Sequence, residues 1–298
     1  MNNKLKKWVY LLVLSLIWGS SYILIKKGLV GLTPLQLGSI RIVFTFLILL
    51  LMGFRSLRQI PRKKWGWLAL SGFLGTFFPN YLFAFAETTI DSSIAAVLNG
   101  LTPLFTLIMG VLFFGAQILK KQVLGVLIGF VGTLILVSEG ISSAQAGKSI
   151  YAFLVVIAAF CYALNVNILK YRLQHVSAMG IALGNFIAIV VPAILVLCFT
   201  SFSIREATEN VEIQKSLGYL LVLALFGTAI AKVMFNELVA ISSAVFSISI
   251  TYLLPIVAIA WGILDGETFG VLQWAACGLI LIGVALATER KKRELQKN

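Results

Sequence analysis

The chain has 298 residues, 60% hydrophobic and 12% charged, with a formal net charge of +13. A soluble domain is about 45–50% apolar and about 25% charged, so soluble domains of this length would lack the charge to coat their surface. The basic excess does not read as a nucleic-acid surface either, because Lys and Arg fall in short segments between apolar runs, as membrane proteins place them.

The N-terminus, MNNKLKKWVYLLVLSLIWGSSY, has the basic start, apolar run and small residues of a secretory signal. The run continues through Ile23, Leu24 and Ile25, and similar runs follow, so a first membrane helix is the favoured reading. A bilayer core about 30 Å thick needs roughly 20 apolar helical residues. In chain order the predicted spans are 8–25, 35–53, 65–86, 93–114, 122–138, 150–169, 178–200, 217–238, 243–264 and 269–287. Continuous apolarity selects helices, since the strands of a membrane barrel alternate polar and apolar residues. The expected fold class is an all-α integral membrane protein with ten transmembrane helices.

Orientation follows from the basic residues. With the N-terminus in the cytoplasm, 17 of the 24 Lys and Arg lie in inside segments and five outside, and only Arg41 and Lys232 remain within spans. That bias predicts both termini in the cytoplasm, across a bacterial inner membrane. The halves also match each other. LGTFFPNYLFAF (74–85) aligns with FGTAIAKVMFNE (226–237) at an offset of 152, which also carries Pro103 onto Pro255 and Gly110 onto Gly262. With one residue deleted, Gln122 falls on Gln273 and Gly132 on Gly283. Each half holds five spans, an odd number, so the second enters the membrane upside down. This is the inverted-topology repeat of secondary transporters, whose substrate sites lie near the midplane between repeats. The domains are a first five-helix repeat at 1–138, a second at 150–289, and a basic tail at 290–298.

Four stretches, WGSSYILIKKGL (18–29), SIR (39–41), LNGLTPLFTLIMGVLFFGA (98–116) and YLLPIVAIAWGILDGE (252–267), resemble the two repeats of the EamA family in the drug/metabolite transporter superfamily. The resemblance covers nearly the whole chain. It implies ten helices in two inverted repeats, and export or exchange of small metabolites. It does not fix the substrate. Ala116 stands where the first repeat often has Glu after Phe-Gly, while Glu267 keeps that position in the second. Cys161 replaces a common Trp, and Lys232 a residue that is more often apolar or aromatic.

Polar residues spaced three or four apart share a helix face. Thr228, Lys232 and Asn236 form such a face in the eighth span, and Thr76 and Asn80 form its counterpart in the third. The fourth span carries Asn99, Thr102 and Thr106, and the ninth carries Ser247 and Thr251. The first offers Trp18, Ser21 and Tyr22, and the sixth Tyr162 and Asn165. Polar groups are expensive in lipid, so these stripes should face inward. The competing reading is packing glue, worth about 0.6 kcal/mol per hydrogen bond. Pro103 and Pro255 each remove a backbone donor near a stripe.

A cation at mid-bilayer costs about 2.5–3.5 kcal/mol on insertion scales, less if it snorkels to an interface. Snorkelling competes with cavity lining for both Arg41 and Lys232. Every Asp and Glu lies in a loop, in the tail or at a helix end, so a buried acid for exchanging cationic drugs against protons is not expected. The expected substrate-binding set is Trp18, Tyr22, Arg41, Asn80, Asn99, Asn165, Lys232, Asn236 and Thr251. No catalytic residue is expected. Cys161, Cys198 and Cys277 occur singly and His175 is the only histidine, so no metal or cofactor is expected.

The leading functional expectation is a secondary transporter exporting small organic metabolites, such as amino acids, by alternating access. The alternative is a multidrug or lipophilic-compound exporter of the same fold. A channel or an intramembrane enzyme ranks well below both, since no selectivity ring and no nucleophile–base pair is visible. Expected partners are the small-molecule substrate and the lipid bilayer, with no nucleic acid. Gly125 and Gly129 form a GxxxG pair for close packing. Contact between the fifth and tenth spans of one chain is its first reading and a homodimer contact its second.

Overall fold

The computed structural model describes residues 3–90, 92–117, 119–138, 149–264 and 271–287, and the described residues form helices without any strand. The spans are α1 (Asn3–Gly28), α2 (Pro34–Gly53), α3, α4, α5 (Lys120–Ser138), α6 (Ser149–Arg172), α7 (Ala178–Cys198), α8, α9 and α10 (Val271–Ala287). Four of these are composite. In α3 a π-helical turn, Phe73–Phe77, joins Trp65–Gly72 to Phe78–Ala86, and in α8 another, Leu223–Ile230, joins Val211–Val222 to Ala231–Ile241. In α4 a 3-10 turn, Asn99–Leu101, joins Ser92–Leu98 to Thr102–Phe114, and α9 consists of Ala244–Ile248 and Ile250–Leu264. α1, α2, α3, α6, α7 and α8 are each long and apolar enough to cross a membrane. Several run past their predicted ends: α1 begins five residues earlier, and α8 spans 211–241 rather than 217–238. Terminal turns need not be apolar where Lys and Arg stems reach toward the interface.

Local chemistry sets several boundaries. Thr33 and Gln36 form a capping box at the start of α2, with Pro34 in the first turn, where its missing N–H costs nothing. Ser177 caps α7 by accepting the Gly180 N–H at 3.1 Å, and Ser243 caps α9 through Phe246. α4 ends at Gly115, whose φ of 62° is the left-handed C-terminal conformation that glycine adopts freely.

Helix packing repeats itself. α1 packs on α8 and α9, α6 on α3 and α4, α2 on α7, and α5 on α10. Exchanging each helix for its partner five places on maps this pattern onto itself, as two inverted repeats require. The α5–α10 contact is the closest. A Cβ on Gly283 would lie 2.5 Å from the Gly129 amide nitrogen and 2.7 Å from the Gly125 carbonyl oxygen, so only glycine admits this approach. The GxxxG pair thus packs within the chain, by its first reading. Large apolar side chains such as Leu12, Leu16, Leu51, Leu112 and Leu195 point outward, where a bilayer replaces water as the solvent.

Candidate functional site

A cavity of about 120 Å³, large enough for several waters, lies between the repeats. Its walls come from α1, α2, α3, α4, α6, α8 and α9, and no described lining residue comes from α5, α7 or α10. Eight of the nine residues singled out in the sequence line it: Trp18, Tyr22, Arg41, Asn80, Asn99, Asn165, Lys232 and Thr251. The ninth, Asn236, does not. Its Nδ2 donates to the Ala178 carbonyl at 3.1 Å, one turn of α8 beyond Lys232 on the same stripe.

The two cations reach the cavity differently. Arg41 donates from Nε to Thr228 Oγ1 at 2.9 Å and from a terminal nitrogen to Asn80 Oδ1 at 3.1 Å. Asn80 in turn donates to the Gly38 carbonyl at 2.8 Å, so its amide is fixed on both sides. Lys232 is 7% exposed, and its Nζ donates to the Gly75 carbonyl at 2.5 Å. The sequence explains why that carbonyl is open: its α-helical donor would be the amide of residue 79, and Pro79 has none. The widened turn begins nearby, with the Phe78 N–H bonded five residues back to Phe73.

The second repeat builds the same feature by other means. Gly227, the counterpart of Gly75 at the offset of 152, also lies in a π turn. There Ala231 directs its N–H to the Phe226 carbonyl, and Gly227 accepts the Trp18 indole N–H at 2.9 Å. An added Cβ would meet a side chain at both places. A Cβ at Gly75 would fall 2.4 Å from Asn165 Nδ2, and one at Gly227 would fall 2.8 Å from Ser21 Oγ.

The remaining polar groups divide into satisfied and open ones. Asn99 donates to the Tyr22 hydroxyl at 3.2 Å and accepts from Thr102 at 2.9 Å. Asn165 accepts from Ser71 at 2.7 Å, and Thr251 donates back to Ile248 at 2.9 Å. Thr76 Oγ1 lines the cavity, is buried, and has no partner among the described residues. It lies one turn before Asn80 on the polar stripe of α3. Trp18, Tyr22, Phe83, Tyr162 and Phe235 supply aromatic walls, with Tyr162 stacked on Phe83 at 6.2 Å between ring centroids. No Asp or Glu is among the described lining residues.

Two findings were not legible beforehand. The first is the pair of carbonyls offered by the π turns: Pro79, four residues after Gly75, is a usable signal for one, and nothing comparable follows Gly227, where Ala231 holds that place. The second finding is a correction. Glu87 caps the end of α3 and is only 6% exposed, so the expectation that the chain lacks a buried acid does not hold. Helix-end carboxylates are ordinarily solvated, but this one is covered by packing that no local pattern reports. Glu267 and the basic tail at 290–298 lie outside the described residues.

Similarity to known proteins agrees with this architecture. The model of the EamA-like transporter family matches residues 6–138 and 149–288. "Uncharacterized inner membrane transporter YedA" of Escherichia coli K12 is 30% identical over 283 residues, covering 93% of this chain and 89% of that protein. A Salmonella typhimurium LT2 protein named "Probable amino-acid metabolite efflux pump" is 24% identical over 282 residues, covering 92% and 91% respectively. One crystal structure, 16% identical, superposes with a TM-score of 0.72 over 94% of this chain and 95% of its own.

Proposed function

The chain belongs to the EamA-like transporter family and is a membrane transporter, and from that premise we propose that it exports small organic metabolites with a negatively charged group, amino acids foremost, by alternating access. One observation carries the reading: Arg41 and Lys232 line a single cavity between the repeats, with no carboxylate among the described lining residues. A carboxylate entering it would meet two positive groups in a medium of low dielectric constant, where an ion pair is far stronger than in water. Thr76 offers it a free hydroxyl. The aromatic walls would take up the apolar part of the solute. Export, rather than uptake, follows the printed name of the Salmonella relative.

Alternation requires contacts between repeats that can break at one end of the cavity. At the end where α1 begins, Lys6 is ion-paired with Glu237, which also accepts from the Tyr10 hydroxyl at 2.8 Å. By the charge bias this end faces the cytoplasm, and opening it would release these ties. The aromatic walls also support a second reading, export of lipophilic compounds, but the two cations disfavour cationic drugs. The test is counterflow in sealed proteoliposomes with a panel of radiolabelled L-amino acids, alongside the cationic dye ethidium. Saturable exchange of at least one amino acid and none of ethidium is expected. Exchange of ethidium alone would overturn the proposal.

A further inference from the structure

Glu87 lies outside the cavity lining, and the scheme above leaves it unused. Its Oε2 accepts from the Ser92 hydroxyl at 3.0 Å, bridging the turn between α3 and α4. Its Oε1 is buried without any partner among the described residues. An ionised carboxylate with an orphaned oxygen is far more costly to bury than a neutral acid. The C-terminal end of α3 adds to this penalty, because the helix dipole places partial negative charge there. Burial therefore raises the carboxyl pKa to about 8, against the pull of the Ser92 hydrogen bond and of the Arg41 and Lys26 charges. The groups acting on it are thus Ser92 of α4, Arg41 of α2, and Lys26 together with the Tyr22 hydroxyl of α1.

We propose that Glu87 is the proton-binding site through which this transporter is coupled to the proton gradient. In the conformation seen here the carboxyl is closed off and holds one proton. When the α3–α4 turn opens to water, the same group returns toward the ordinary glutamate value of about 4.3 and releases that proton. The sign follows from the raised value. Between about 4.3 and about 8 the closed form binds a proton that the open form does not, so closure is favoured by acid and progressively lost as pH rises through about 8.

The inference rests on the transporter reading, and its test separates the two. The full chain in sealed vesicles is first titrated by infrared spectroscopy without any solute. A protonated-carboxyl band should disappear as pH is raised through about 8, be missing in Glu87→Gln, and persist in Glu237→Gln. A wild-type protein with no such band at neutral pH overturns the proposal, whatever the substrate turns out to be. In the same vesicles, an L-amino acid that exchanges at equal pH should be accumulated against its gradient when a pH difference is imposed. Glu87→Gln should keep the exchange and lose the accumulation. Accumulation by Glu87→Gln at the wild-type level, or a wild-type protein that exchanges but never accumulates, equally contradicts it. Failure of every amino acid to exchange would count against the substrate assignment alone, and the infrared titration would still decide the proton site.

Discussion

The two π turns occupy equivalent places in the two repeats, and the difference between them separates what the fold requires from what the site adds. Both turns present a glycine carbonyl, from Gly75 and Gly227, to a donor from elsewhere in the chain. In α8 the donor is a neutral indole N–H from α1. In α3 it is the ammonium of Lys232, whose own counterpart in the first repeat is the neutral Asn80. A carbonyl in such a turn therefore needs a hydrogen bond but not a charge. The charge is the part that packing leaves unexplained. A related contrast separates α2 from α7. Arg41 and Asn185 each lie eight residues after a capping residue, Thr33 and Ser177. Asn185 is fully buried against Ser71, whereas Arg41 faces the cavity. In both pairs one repeat closes the position with a neutral contact and the other places a cation at the cavity wall.

The largest effect should come from Lys232. Lys232→Gln and Lys232→Met should each weaken binding of an exchanged amino acid by about 1.5–3 kcal/mol, the range for a hydrogen bond to a charged group, which is roughly 10- to 150-fold. They should part on stability: Gln still carries a donor for the Gly75 carbonyl, while Met leaves it unpaired and should lower the melting temperature in detergent. Wild-type apparent affinity in both variants would mean that the charge serves packing after all.

Substituting the glycines themselves sharpens the comparison. Gly75→Ala would drive its Cβ into the Asn165 amide, which Ser71 holds in place, and overpacking of this kind costs about 1–3 kcal/mol. Gly227→Ala meets only the ends of Leu223 and Ser21, which can move, and should cost less than half as much. Thermal unfolding of the two variants side by side measures the difference, and equal losses would contradict it. Trp18→Phe keeps the ring but removes the N–H from Gly227. It should cost about 0.6–1.7 kcal/mol, the span measured for hydrogen bonds inside membrane proteins, with little change in amino-acid affinity. The smallest effect should come from Glu237→Gln at the mouth of α1 and α8. That part-exposed pair is screened by salt, so a slightly lowered melting temperature should converge on wild type as ionic strength rises.

What the sequence disclosed follows the same division. The ten spans and their inversion were legible because lipid demands continuous apolarity and the offset of 152 is a pattern in the letters themselves. Stripe reasoning placed Trp18, Asn80, Asn165 and Lys232 on inward faces correctly, because period 3.6 fixes a face. It erred in extent at Asn236, since a face carries no information about depth, and along that stripe the lining stops one turn earlier, at Lys232. Burial of Glu87 was hidden for a related reason: it arises from neighbours far away in sequence. The α5–α10 contact, by contrast, was visible in Gly125, Gly129 and Gly283, because glycine at such spacing has little purpose other than close approach.

The account depends on the cavity being where the solute binds. The direct measurement is thiol labelling of single cysteines placed at Asn80, Asn99, Asn165, Thr251 and Asn236, in a chain whose Cys161, Cys198 and Cys277 are replaced by alanine. The first four should react with a small water-soluble reagent and be protected by an amino acid that exchanges in vesicles. Asn236→Cys, facing the Ala178 carbonyl instead, should react slowly and show no protection. Labelling of all five at one rate, untouched by that amino acid, would contradict a binding site between the repeats.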